Sequence, residues 1–245
     1  MVACASGVGA RPAAAAALVA ALLAAGCGAA SRPVAAPQQP PRSLAAAAPE
    51  ADVPAGYRLH RSYEAGVSLA LPLGWRAVAG PDARYPGVIQ TLARVHRAFL
   101  PYLTALASPG SPLKLFGFDP ASSAAHPSIV SVQQLVAGRT GPYARWSQRA
   151  LRSLATLGSL RGHLASSRAD VPAGPALRVA FARSDGDRVL LYVVATRGGL
   201  WAVTFAAPPR APGRRTWDRA AATLQVAAPH GGPRIAGGTG ATPGA

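Results

Sequence analysis

Two dipeptides in the C-terminal half, Asp185-Gly186 and Gly198-Gly199, constrain the fold most, because each stands between runs of β-prone apolar residues. Two-residue loops of this composition form the tight turns that fold a strand back on its neighbour, so the runs they join must lie antiparallel. Those runs are Ala176 to Ser184, Arg188 to Arg197 and Leu200 to Ala206, with His163 to Val171 leading into the first. An antiparallel meander of four strands is expected.

The preceding part mixes both periodicities. Tyr57 to His60 with Ser62 to Tyr63 reads as a strand, Glu64-Ala65-Gly66 as a turn, and Val67 to Leu71 as a second strand with Val67, Leu69 and Leu71 on one face. Pro72 ends it, and Trp75, just beyond, is expected to be buried under the first helix. That helix should run from Pro86 to Ala107, since Ile89, Leu92, Val95, Phe99, Leu103 and Leu106 recur every three or four residues. Pro101 lies inside the pattern and should kink the helix or split it. Leu113 to Phe118 and Ser128 to Val136 read as further strands. Pro142 suits the first turn of a helix to Leu157, with Tyr143, Trp146, Ala150, Leu154 and Leu157 inside and Arg145, Arg149 and Arg152 outside. A last short helix, Thr216 to Leu224, would bury Trp217, Ala221 and Leu224. The identical words Asp52-Val53-Pro54-Ala55-Gly56 and Asp170-Val171-Pro172-Ala173-Gly174 are read as turn chemistry.

The flanks carry a different message. Arg11 closes a short N-terminal region, and Ala13 to Ala25 is an uncharged apolar run. Thirteen helical residues cover roughly 20 Å, short of the roughly 30 Å bilayer core, so the run fits a signal peptide better than a span. Ala24-Ala25-Gly26-Cys27 resembles the bacterial lipobox, in which the cysteine thiol takes a diacylglyceryl group and becomes the mature N-terminus. It departs from that pattern by one place, with Ala24 where leucine is usual and Leu23 before it. Plain secretion with cleavage after Ala30 is the alternative. Residues 1–27 are thus read as the signal, 28–56 as a Pro/Ala-rich linker, 57–228 as one domain, and 229–245 as a disordered tail.

Cys4 and Cys27 are the only cysteines, so the domain has neither a disulfide nor thiol or cysteine-metal chemistry. Its roughly 170 residues suffice to bury about 70% of the unfolded surface without such a staple. The net charge is +16, and Lys114 is the single lysine among 25 basic residues. This balance invites an anionic partner, although abundant Ala, Gly, Pro and Arg also suit GC-rich coding. Nucleic acid is not an expected partner of an exported protein. Arg145, Arg149 and Arg152 share one helical face and are the candidates for contacting an anionic surface, since guanidinium groups bind phosphate or carboxylate bidentately.

The sequence carries no complete catalytic pattern. Gly66-Val67-Ser68-Leu69-Ala70 lacks the final glycine of a nucleophile elbow, and Lys114 has no phosphate-loop glycines before it. His60, His96, His126, His163 and His230 show no metal-ligand spacing and no neighbouring carboxylate cluster in sequence. The acids fall mostly at turns and helix ends. No catalytic, cofactor or metal residue is therefore assigned.

The element order, with Tyr63 to Trp75 (Tyr-Glu-Ala-Gly-Val-Ser-Leu-Ala-Leu-Pro-Leu-Gly-Trp), resembles the PsbP/Mog-like fold and its Gly-x-Ser-x-x-Pro-x-Gly-Trp opening. Ser111 to Phe116 and Val171 to Ala176 look like segments of actinobacterial lipoproteins of the LpqN type. The resemblance implies an α/β (α+β) domain, an antiparallel sheet with helices on both faces, and a non-catalytic scaffold. The expected function is a membrane-anchored extracytoplasmic lipoprotein, a binding or adaptor module for an envelope protein or anionic polymer. A carrier of an apolar ligand or lipid is the alternative. A filled core would favour the adaptor and a continuous apolar cavity the carrier.

Overall fold

The computed structural model describes residues 52–227 except 84, 85, 96, 124, 125, 139, 159 and 212. The signal, Cys27, most of the linker and the tail lie outside the described residues. The fold is α+β, with antiparallel sheets and helices on both faces of the larger one.

The meander is present: β6 (Leu160–Val171), β7 (Gly174–Arg183), β8 (Arg188–Thr196) and β9 (Gly199–Ala207) pair in succession. It continues into β5 (Ile129–Ala137), β4 (Leu113–Phe118) and β3 (Arg76–Ala79), giving seven antiparallel strands in the order β3-β4-β5-β9-β8-β7-β6. The β5–β9 seam, from Ile129↔Ala206 to Ala137↔Gly199, joins the two halves of the chain. A smaller sheet, β1 (Tyr57–Ser62), β2 (Val67–Pro72) and β10 (Gln225–Val226), has β2 at its centre.

Alternation along the central strands sorts side chains into two cores. On β8, Val189, Leu191, Val193 and Ala195 enter one, and Leu190, Tyr192 and Val194 the other. A strand buried on both faces must be apolar at every step, which is why Val189 to Ala195 is uninterrupted.

On the first face lie α1 (Gly80–Ala83), α2 (Pro86–Val95), a 3₁₀ turn (Arg97–Phe99), α3 (Leu100–Ala107) and α4 (Tyr143–Ala155). The single helix expected over Pro86 to Ala107 is split. Pro101 sits in the first turn of α3, where its missing N–H costs no helical bond. Phe99 then packs 4.6 Å from Phe118, and Tyr102 stacks 4.8 Å from Phe116, centroid to centroid.

The second face is covered by β1, β2 and α5 (Arg214–Ala221). Trp75 belongs here, 6% exposed among Leu71, Leu115 and Trp217, so it is buried as expected but on the side away from the long helical segment. The turn after Pro72, closed by the Trp75 N–H donating to the Pro72 carbonyl at 2.8 Å, aims the indole there. Residues Val67 to Leu71 are all buried rather than alternately exposed, because other chain covers both sides of β2. The Ala70 N–H donates to Thr223 Oγ1 at 2.8 Å, and Thr223 Oγ1 donates to the Ala220 carbonyl at 2.7 Å. Gly117 lets these layers approach: a Cβ there would lie 2.7 Å from Leu71 Cδ1 and from Val130 Cγ1.

Helix α5 is clamped to the sheet by charge. Arg178 holds the Asp218 carboxylate through Nε at 2.9 Å and a terminal nitrogen at 3.2 Å, and the Tyr192 hydroxyl donates to the same carboxylate. Burial acts to raise the Asp218 pKa, but the Arg178 and Tyr192 hydrogen bonds and the Arg178 charge outweigh it and hold the carboxyl below its usual range. Burial and the Asp218 hydrogen bond push the Tyr192 hydroxyl far above the usual phenol range.

Two outcomes are expected. Replacing Trp75 with alanine should destabilise the domain by about 3 to 5 kcal/mol in denaturant melts, through lost apolar burial and a cavity. A loss under about 1 kcal/mol would contradict the burial. Because the Asp218 pKa is depressed in the fold, its stabilisation is present above the unfolded carboxylate value of about 3.9 and is lost as pH falls through the folded value. Asp218→Asn should therefore be less stable at neutral pH and show a shallower acid limb in thermal melts from pH 5 to 2. An unchanged limb would remove Asp218 from that transition.

Candidate functional site

Helix α4 crosses the first face between β5 and β6, carrying the chain from the middle of the sheet to its far edge. Its inner face follows the sequence: Trp146 and Leu154 are buried, and Tyr143, Ala150 and Leu157 pack partly against the core. Arg145, Arg149 and Arg152 are exposed together on the outer side. Arg152, in the last turn, also opposes the negative end of the helix dipole.

Ala150 lies one turn from both Trp146 and Leu154, and its methyl group does not fill the space between them. The result is an apolar slot of about 50 Å³ lined by Trp146, Ala150 and Leu154 of α4 and by Leu135, Leu191 and Leu200 of the sheet, with Arg149 at its rim. Val136, also in the wall, is 40% exposed on β5. Trp146 separates the slot from a more open notch bounded by Tyr143, Thr140, Pro175, Thr196 and Arg197. Arg168 stands over the Tyr143 ring, 5.0 Å from its centroid, and adds another positive charge to this end.

A second constellation was not legible in the sequence. His126 Nδ1 lies 3.1 Å from Asp187 Oδ1, joining the loop after β4 to the β7–β8 turn across 61 residues of sequence. Beside it Arg183 pairs with Asp185 at 2.7 Å. Burial, followed by the Asp185 charge, raises the Asp187 pKa, while the His126 hydrogen bond, its charge and Arg183 oppose the rise. Tyr102, beneath, is pushed up to about 12 by burial, with Arg183 opposing and Asp187 and Asp185 adding. With the proton on Nδ1, the His126 ring would present Nε2 as a free acceptor, and its side chain is 48% exposed. No group of three or more metal-ligating side chains occurs among the described residues. The pair's evident effect is to fasten that loop to the turn. Asp119 and Asp185 serve their turns, accepting from the Ala121 and Asp187 N–H groups. Asp187 and Asp218 instead hold long-range contacts.

No protein-family model matches the chain, and no curated protein matches it in sequence. Among solved structures, it is similar to the solution structure of cyanobacterial PsbP (CyanoP) from Synechocystis, at 15% identity and a TM-score of 0.44, over 75% of this chain and 99% of that one. A crystal structure from Bacteroides thetaiotaomicron shows 11% identity and a TM-score of 0.37, over 66% of this chain and 46% of the other. These likenesses concern the fold and transfer no residue roles.

Because His126 acts to lower the Asp187 pKa, His126→Ala should move the Asp187 titration further upward in carboxyl-detected NMR. A downward or absent shift would show that the contact is not kept in solution.

Proposed function

We propose that the chain is a membrane-anchored extracytoplasmic lipoprotein whose domain acts, without catalysis, as a binding or adaptor module in the cell envelope. The anchor is the diacylglyceryl group on Cys27, and the linker of residues 28–56 holds the domain off the bilayer. In this reading the chain resembles actinobacterial lipoproteins of the LpqN type.

The observation that carries the adaptor over the carrier is the filling of the two cores. The central strands of the large sheet are packed on both faces, the apolar slot under α4 holds only about 50 Å³, and the larger notch beside it, about 520 Å³, is open to solvent and has Thr140, Thr196 and Arg197 in its wall. An engineered apolar cavity that accommodates benzene has about 150 Å³, and drug-sized ligands occupy roughly 300 to 1,000 Å³. A lipid chain needs more room than this slot offers. Arg145, Arg149 and Arg152 supply a basic surface for a partner instead, and α4 holds them on a rigid element.

The test begins with the anchor. Cys27→Ser should move the protein from the membrane pellet to the soluble fraction and abolish acyl labelling. Wild-type protein already in the soluble fraction would overturn the lipoprotein reading. Pull-down with the intact lipoprotein, compared with Cys27→Ser protein, then identifies envelope partners.

A further inference from the structure

Strand β1 lies at the edge of the small sheet, bonded to β2, and is the first strand after the linker of residues 28–56. We propose that β1 is a pH-released strap: it stays docked while the His60 imidazole is neutral and detaches from β2 and the large sheet when that ring takes up a proton. The inference is independent of the adaptor reading.

Register decides where the ring goes. Arg58, His60 and Ser62 stand opposite Leu71, Leu69 and Val67, so the two sets share one face of the small sheet. Those three apolar residues belong to the core between the sheets, and Leu71 closes on the large sheet at Gly117. His60 is thereby turned inward. Its Nε2 is shut off from solvent and has no hydrogen-bond partner among the described residues, and the same holds for Ser62 Oγ two residues on. A neutral imidazole tolerates this, because one ring nitrogen carries no proton. An imidazolium does not, since both nitrogens then donate and the charge has lost its water.

The surroundings offer such a charge little relief. On β1, Arg58 shares the face of His60 and Arg61 lies on the other. Strand β2, Val67–Pro72, carries no ionisable group. Strand β3 turns Ala77 to this side and Arg76 to the opposite one, where its pair Phe118 lies in the first core. On β4 the Lys114 ammonium donates to the Ser111 carbonyl at 2.6 Å. The turn beyond Ser62 brings Tyr63, which is 83% exposed, and Glu64, which with Ser62 and Lys114 lines a polar recess past the end of the strand. Helix α5 meets β1 at Tyr57, whose hydroxyl donates to the Thr216 carbonyl at 3.1 Å, and its acid, Asp218, is held by Arg178 and Tyr192.

Burial first, and then the Arg58 charge, hold the His60 pKa below the ordinary imidazole value. In the released strap the ring returns to about 6.5. Docking is therefore at full strength above about 6.5 and is lost as pH falls from there through the docked value, by at most about tenfold per pH unit for one proton.

The test is amide hydrogen exchange in the isotope-labelled full chain carrying Cys27→Ser, followed by NMR from pH 7.5 to 5.5 and corrected for the intrinsic pH dependence of exchange. Protection of amides bonded between β1 and β2 should fall about fivefold from pH 6.5 to 5.5, while the β5–β9 seam keeps its protection. His60→Gln, which keeps a polar side chain but cannot take up a proton, should remove the fall. Arg58→Gln should make it shallower, because the docked ring then titrates nearer its released value. Equal loss at the β5–β9 seam makes the event global acid unfolding and overturns the proposal. So does β1–β2 protection that stays level in the wild-type chain or falls undiminished in His60→Gln. The wild-type comparison of the two regions needs no variant, so a His60→Gln chain that fails to fold leaves it decisive.

Discussion

The structure depends on covering both faces of one seven-stranded sheet. A sheet exposed on one side can alternate apolar with polar residues, but this sheet cannot. Its central strands must offer apolar groups in both directions, as Val189 to Ala195 do. The helices on one side and the small sheet with α5 on the other follow from that demand. So does the scarcity of room: Gly117 lacks a side chain because Leu71 and Val130 already occupy the space beside it.

This packing is also what makes α4 a usable platform. The helix lies on strands that are held from behind, so its inner face is fixed by Trp146 and Leu154 and its outer face presents arginines at set intervals. The recess at Ala150 is a local shortfall in an otherwise filled layer. A recess with packed walls discriminates between side chains by size because its lining does not relax easily.

What could be read from the sequence was what local chemistry decides. The hairpin glycines and the runs around them placed β7, β8 and β9 to within a residue or two, and the 3.6-residue period gave α4 its inner face and its arginines. The unread parts are those set by distant chain. Arg76 to Ala79 carries no strand pattern of its own and becomes β3 through pairing with β4, while β10 is two residues held by β2. Trp75 looked buried for good reason, but its side of the sheet depended on a turn direction that no period encodes. The His126–Asp187 contact bridges a loop and a turn 61 positions apart, so neither residue has a local sign of the other. The slot under α4 likewise depends on which sheet residues face Ala150.

The place of β9 in the middle of the larger sheet has a kinetic consequence. Strand β5 finds its inner partner only when Gly199–Ala207 is present, and β10, the last strand among the described residues, adds to β2 near their beginning. Contacts between such distant segments slow folding, because long loops must close before any of their energy is gained. A chain emerging from its N-terminus therefore cannot complete the sheet until nearly all of the domain has followed. Until then it remains threadable, the state in which a narrow channel can pass it.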